Sequence, residues 1–451
     1  VSLDQTPGAE DDRPVRRVAN VRDFESFCKE VRRRPRLALD TEFIAEDSYQ
    51  PNLCLIQLAF DDELVVIDPF PLGSVRRFWE AIVEGNVETV VHAGRTDLQF
   101  CREATGRCPE RIFDVQIAAG FTSQEYPAGL VNILQKYAHV SVTKHETRTD
   151  WRRRPLSDRQ IEYALNDVRY LLTVRDQLEA ELKDLGRYEW FLEEVRYQYT
   201  ECVSEDSEPW RRLAGCAGLN RRELAILKEL WFWREEEAAR RNVPPRRVLR
   251  DDLLIELSRR GSGDPKRIYA VRGMTNRGVQ QLVPEIARRI QQALNTPREE
   301  WPEVINRTGI GQSPIVGQFL YAALASLCRK ERIAVGLVGG TNDLRDWFSY
   351  YVSGREGPPP LLARGWRASL IGDTLERLLS GKVGLRIHNC FDDNPLELVP
   401  LSPETSSQGG NNVLPETLQQ LPQDVETASV PKSLCGKPQV ADQSGEAAGV
   451  T

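Results

Sequence analysis

Short apolar runs alternate with polar breaks through the first half of the chain. "LALDTEF" (37–43), "NLCLIQLAF" (52–60) and "LVVIDPF" (64–70) read as three successive strands rich in Leu, Ile and Val. "VETVVHA" (87–93) reads as a fourth, after the helix-like "SVRRFWEAIVEG". Helical periodicity follows at about 95–105, 115–121, 128–138, 157–182 and 186–199. Strands followed by a strand and helices predict an α/β domain with a mixed sheet over residues 15–200.

A polar break, "SEDSEPW", separates this region from an all-helical pattern over 208–295, whose longest helix is "NRRELAILKELWFWREEEAARRN". "TPREEWPEVINRTGIGQSP" reads as a linker over 296–313. Residues 314–400 form a third, small block: a helix ("IVGQFLYAALASLCRKERI"), a strand-like "AVGLVGG", further helices and a last strand-like "VGLRIH". The polar residues 1–14 and the Ser-, Pro-, Gln- and Gly-rich residues 401–451 read as disordered.

Composition narrows the classes. The chain has 451 residues, 40% hydrophobic and 28% charged, and no apolar run near the length of a membrane span. The N-terminus has no apolar leader core. Nine cysteines occur without a CxxC pair, against a zinc site or a disulfide framework, so a reducing cytoplasm is the expected compartment. The net charge of −7 conceals a local reversal: residues 208–295 hold 19 bases against 11 acids. Such a surplus suits a nucleic-acid partner, although a solvated helical surface would show it too.

Strands usually exclude Asp and Glu, yet the first strand ends on Asp40 and Glu42. Residues i and i+2 share a strand face, so the two carboxylates sit together and repel unless a cation lies between them. A hard divalent ion would remove that repulsion; two unrelated acids at an exposed strand end would also fit. Asp97 falls in the first turn of the helix in "VVHAGRTDLQFCREATG", where an acid also complements the helix dipole. "PLSDRQIEYALNDVRYLL" starts with a capping-box pattern at Ser157 and Gln160. On that helix Tyr163 and Asp167, four apart, share one flank. Four carboxylates and a phenol suit two-metal hydrolysis of a phosphodiester, the phenol orienting the attacking water.

At these residues the chain resembles the DEDD superfamily of 3′→5′ exonucleases, with "LDTEF", "HAGRTDL" and "YALND" as its three motifs. Tyr at 163, four positions before Asp167, places the resemblance in the tyrosine branch. Within that branch, "LCLIQLA", "IDP" at 67–69 and "SVTKHETRTDWRRRPLSDRQIEYALNDVRYLL" are similar to the ribonuclease D family over roughly residues 18–200. "LNRRELAILKELWFWREEEAARRNVPPRRVLRDDLLIEL" resembles the HRDC module shared with RecQ helicases.

The resemblance implies a ribonuclease H-like mixed sheet, then an all-α HRDC-like domain and a small C-terminal domain of open role. It implies Asp40, Glu42, Asp97 and Asp167 as ligands of two divalent ions, Mg²⁺ or Mn²⁺, with Tyr163 positioning the water. The implied reaction releases nucleoside 5′-monophosphates from RNA 3′ ends such as those of tRNA precursors. Thr41, Gln57, His92, Lys144 and Arg154 are further candidates for touching substrate. A DNA exonuclease and a non-catalytic RNA-binding platform remain the rival readings. No membrane association is expected, and a monomer is the expected state.

Overall fold

The computed structural model describes residues 11–141, 149–201, 208–274, 277–304 and 314–401. Six strands form the main sheet: β1 (Val15–Val18), β2 (Arg36–Ile44), β3 (Asn52–Ala59), β4 (Leu64–Ile67), β5 (Glu88–Val91) and β6 (Ile112–Asp114). Their order is β1-β4-β3-β2-β5-β6. The consecutive strands β2, β3 and β4 pair antiparallel, whereas β1, β5 and β6 join in parallel, so the sheet is mixed as its pattern predicts. β1 (VRRV) is mostly unburied and has no apolar run, and β6 has three residues, so both go unread in the sequence.

Counting only the longer helices, α1 (Val21–Val31), α2 (Arg76–Gly85), α3 (Arg95–Thr105), α4 (Val115–Thr122), α5 (Asp158–Arg169), α6 (Leu171–Asp184) and α7 (Tyr188–Arg196) accompany this sheet. The run expected as one helix over 157–182 is therefore two, divided at Tyr170. β4 and β5 are buried along their whole length; β4 is accordingly all apolar, and the buried Glu88 of β5 is paired with Arg175 at 3.0 Å.

The second block is helical: α8 (Arg221–Arg241), α9 (Asp251–Arg260) and α10 (Val283–Asn295) enclose a separate core that includes Trp210, Leu227, Leu254 and Ile286. Of its three successive aromatics Trp233 is buried and Phe232 exposed, as helical geometry requires.

Residues 314–400 include α11 (Pro314–Glu331), α12 (Thr341–Val352), α13 (Gly365–Ile371) and the antiparallel hairpin β7 (Val383–Ile387) with β8 (Leu396–Pro400). The strand expected in "AVGLVGG" is instead a single helical turn, Val335–Val338. It docks on α4, where Ala334 N donates to the Gly120 carbonyl at 2.9 Å, and among the described residues no strand pairs with it. Leu320, Leu324, Leu337 and Trp366 of this block belong to the same apolar core as the main sheet. The link is also polar. Arg367 pairs with Glu194 of α7 at 2.7 Å, both side chains almost wholly buried, and Trp366 Nε1 donates to the same carboxylate at 2.9 Å.

Candidate active site

β2 delivers the first two acids. Alternation puts Asp40 and Glu42 on one face and Thr41 on the other. Opposite Asp40 in the register lies Gln57 of β3, fully buried, whose Nε2 donates to Asp40 Oδ2 at 2.7 Å. A register shift between Glu42 and Phe43 then bends the strand just past the acids. The buried Thr41 hydroxyl donates to Asp97 Oδ1, so this candidate substrate contact is turned toward a carboxylate.

Asp97 arrives through the tight turn between β5 and α3. Ala93 sits at φ +55°, and a Cβ on Gly94 would lie 2.5 Å from the Val91 Cβ, so only glycine fits there. Asp114 pins this turn: its Oδ1 accepts from Ala93 N at 3.1 Å and caps α4 through Gln116 N at 2.8 Å, while its Oδ2 accepts from the Tyr199 hydroxyl at 2.7 Å. Sequence reading missed Asp114 and Tyr199. Only Asp114 carries a signal, as an acid placed directly before an apolar helix.

Asp167 and Tyr163 come from α5. Its capping box forms as the spacing predicts: Gln160 N donates to Ser157 Oγ at 3.2 Å and Ser157 N to Gln160 Oε1 at 2.9 Å. Ile161, Ala164, Leu165 and Val168 are buried on the face that packs across β2, β3 and β4. That docking fixes the flank holding Tyr163 and Asp167. Trp151 is buried beside Tyr163, ring centroids 6.1 Å apart.

Asp40, Glu42 and Asp167 each present an oxygen, all within 4.8 Å of one another. Asp97 stands apart from this trio. Burial, then the charges of Asp97, Asp167 and Glu42, hold the Asp40 carboxyl well above its ordinary range. Burial and the charges of Asp167 and Asp97 push Glu42 up to about 8. Asp97 is raised too, by burial, against the Thr41 hydrogen bond. Among the described residues no Lys or Arg is ion-paired with Asp40, Glu42 or Asp97. Clustered, part-buried carboxylates that raise one another's pKa fit a bound divalent cation, and an all-oxygen donor set suits a hard one.

A pH dependence follows from Glu42. Its folded pKa lies above the ordinary 4.5, so the stabilisation from its bound proton is full below that value and is lost as pH rises toward about 8. In EDTA, Glu42→Gln is therefore expected to be more stable than the parent at pH 8 by ~1–3 kcal/mol, with the gap closing by pH 5. Denaturant titrations of both proteins across that range check it, and a gap independent of pH would defeat it.

A cleft of ≈ 250 Å³ is lined by Asp40, Tyr163 and Asp167 and by His92, Leu130, Val131, Leu134 and Leu171. His92 is held there by Nε2 against the Ala128 carbonyl at 2.9 Å. Arg154 is not brought into the cleft. Its guanidinium is occupied by Asp68 at 2.6 and 2.8 Å and by the Cys54 and Trp151 carbonyls, both at 2.8 Å. Lys144 lies outside the described residues.

An acidic cleft beside β2, an interior strand of a mixed sheet, followed by a helical module, fits the nuclease class. A family model described as 3′-5′ exonuclease matches residues 15–183, and the HRDC domain model matches residues 223–290. More narrowly, the chain is 32% identical to the ribonuclease D of Jannaschia sp. (strain CCS1), covering 82% of this chain and 96% of that one. It is 30% identical to the ribonuclease D of Zymomonas mobilis, covering 80% and 93%. The crystal structure of Escherichia coli RNase D superposes with a TM-score of 0.71 at 26% identity, covering 81% of this chain and 98% of that one. The chain belongs to the ribonuclease D family and is a 3′→5′ exoribonuclease. No described helix is long and apolar enough to cross a membrane.

Proposed function

We propose that the protein trims RNA 3′ ends, those of structured RNAs such as tRNA precursors among them, one nucleoside 5′-monophosphate at a time. The observation that supports this best is the oxygen cluster of Asp40, Glu42 and Asp167, two of which, Asp40 and Asp167, line a cleft of ≈ 250 Å³ together with Tyr163. The E. coli relative is described as an exoribonuclease involved in structured RNA processing.

In this reading Asp40, Glu42, Asp97 and Asp167 hold two divalent ions, Mg²⁺ or Mn²⁺. Such ions, when bound, supply charge stabilisation at the scissile phosphate and make water a stronger nucleophile. Gln57 fixes the rotamer of Asp40, and the Thr41 hydroxyl fixes Asp97. Leu130, Val131, Leu134 and Leu171 offer an apolar wall to the terminal nucleoside, and His92 lines the same cleft.

Tyr163 positions the attacking water. Burial, then the charges of Asp167, Glu42 and Asp40, raise its phenol far above the ordinary value, so it stays protonated and donates a hydrogen bond. Tyr163→Phe removes that donor alone and is expected to lower kcat ~10²-fold with KM nearly unchanged. Steady-state kinetics on a short oligoribonucleotide would show it, and an unchanged kcat would remove Tyr163 from the mechanism.

The exonuclease domain is assigned to 15–200 and the HRDC-like domain, as an accessory RNA binder, to 208–295; the protein works as a cytoplasmic monomer. The deciding experiment is release of label from 3′-end-labelled RNA and DNA strands of matched sequence, with Mg²⁺, with Mn²⁺ and with EDTA. Mononucleotide released from RNA and abolished by EDTA is the expected result. Preference for DNA would replace the substrate. Binding of RNA without release would replace the enzyme with an RNA-binding platform.

A further inference from the structure

Away from the acidic cleft, α3 carries a second polar surface. Arg95, Leu98, Gln99 and Arg102 recur at helical spacing and line a cavity of ≈ 210 Å³ together with Gln198 and Tyr199. A larger cavity of ≈ 990 Å³ shares Arg102, Cys108 and Tyr199 with it and extends to Arg111, Arg175 and Arg196. Together the two are lined by six arginines and three glutamates.

The glutamates are already engaged. Glu88 holds Arg175 at 3.0 Å and Arg111 at 3.6 Å. Glu110 holds Arg107 at 3.3 Å, and Glu179 holds Arg175 at 2.7 Å and Lys183 at 3.1 Å. Arg95, Arg102 and Arg196 have neither an ion pair nor a side-chain hydrogen bond among the described residues. The groove therefore keeps a positive surplus on guanidinium groups whose forked donors match phosphate oxygens.

Spacing narrows the ligand. Arg95 and Arg102 are seven residues apart on one helix, roughly 10 Å along its axis. One small anion cannot bridge them, but a chain of phosphates can. Arg95 also opens α3, two residues before Asp97 of the acidic site.

We propose that this groove binds the phosphodiester backbone of the RNA strand on the 5′ side of the nucleotide being removed. The inference rests on the exoribonuclease reading above and extends its substrate footprint along α3. Leu98 and Tyr199, both buried, line the cavity beside the arginines, and contacts to phosphates position a strand without reading its sequence.

The test is the double variant Arg102→Gln/Arg196→Gln, compared with the parent in two measurements. The first is affinity for a 5′-fluorescent dodecamer of oligoadenylate in EDTA, where no turnover occurs, over a salt series. The second is hydrolysis of the dodecamer and of a dinucleotide with Mn²⁺. The expected result is dodecamer affinity roughly tenfold weaker at low salt, with a log–log salt slope shallower by about 1.4 for two lost phosphate contacts. Dinucleotide hydrolysis stays unchanged. Unaltered dodecamer affinity and salt slope would overturn the groove, even with normal hydrolysis, and would leave an acidic protein as the ligand to seek. Weakened binding in a protein that hydrolyses neither RNA would retain the groove and defeat the exonuclease reading instead. Should the double variant melt early, Arg196→Gln alone carries the same test, because Arg196 is exposed at the end of α7.

Discussion

Asp40→Asn is expected to lower kcat for removal of an RNA 3′ nucleotide by ~10³-fold or more, on the order of 4 kcal/mol of transition-state stabilisation. The substitution is nearly isosteric, and Gln57 Nε2 can still donate to the remaining carbonyl oxygen, so the strand end keeps its shape. What disappears is one negative charge from a set of three oxygens within 4.8 Å. The same loss should weaken Mn²⁺ binding, measured by calorimetry, while dodecamer affinity in EDTA holds or improves because repulsion of phosphate falls. Retention of kcat within tenfold would show that Asp40 has a structural role only. A catalytic loss with unchanged Mn²⁺ binding would keep the cleft but reassign Asp40 from ligand to orienting group.

The second large effect concerns stability. Arg367→Ala is expected to cost ~3–5 kcal/mol, because it leaves Glu194 charged and buried without its partner. Arg367 donates to both Glu194 oxygens, at 2.7 and 2.9 Å, and to the Val338 and Leu337 carbonyls at 2.8 and 2.9 Å. All four acceptors would lose a donor at once. The double variant Arg367→Met/Glu194→Leu should recover much of the loss, since a packed apolar pair removes the desolvation cost along with the attraction. Urea titrations of the single and double variants decide the point. A single variant within 1 kcal/mol of the parent would mean that the apolar contacts alone hold residues 314–400 against the sheet.

These experiments probe two regions that differ in how far the sequence foretold them. The acids at 40, 42 and 167 and the phenol at 163 were legible because local rules place them: period two in a strand, four-residue spacing on a helix, a capping box that fixes where the helix begins. The helical module was legible from its periodicity and its basic surplus. Other features were not. The division at Tyr170 has no Pro or Gly to announce it. "AVGLVGG" is a short apolar run that both strand and helix can use, and only the lack of a pairing neighbour decides for the helix.

Side-chain roles diverged most where partners come from far along the chain. Arg154, read as a candidate phosphate contact, meets Asp68, 86 residues away, and its donors are spent within the fold. Gln57, read as a candidate nucleotide contact, is buried against Asp40 across the sheet register. Asp97 is tied to the strand by the Thr41 hydroxyl, 56 residues away, and its charge acts on Asp40 and Glu42, none of which its place in the first turn of a helix announces. Asp114 and Tyr199 support the turn that presents it from two further elements.

By itself, then, the sequence determined most of the long strands and helices and which faces carry the acids, because those depend on interactions a few residues apart, and its motifs pointed to the family. Only the tertiary structure decided which acids converge, which arginines stay unpaired and where residues 314–400 dock. Those outcomes depend on ion pairs and burial between segments as much as 173 residues apart, and the contribution of such contacts is set by the solvent each pair loses on packing.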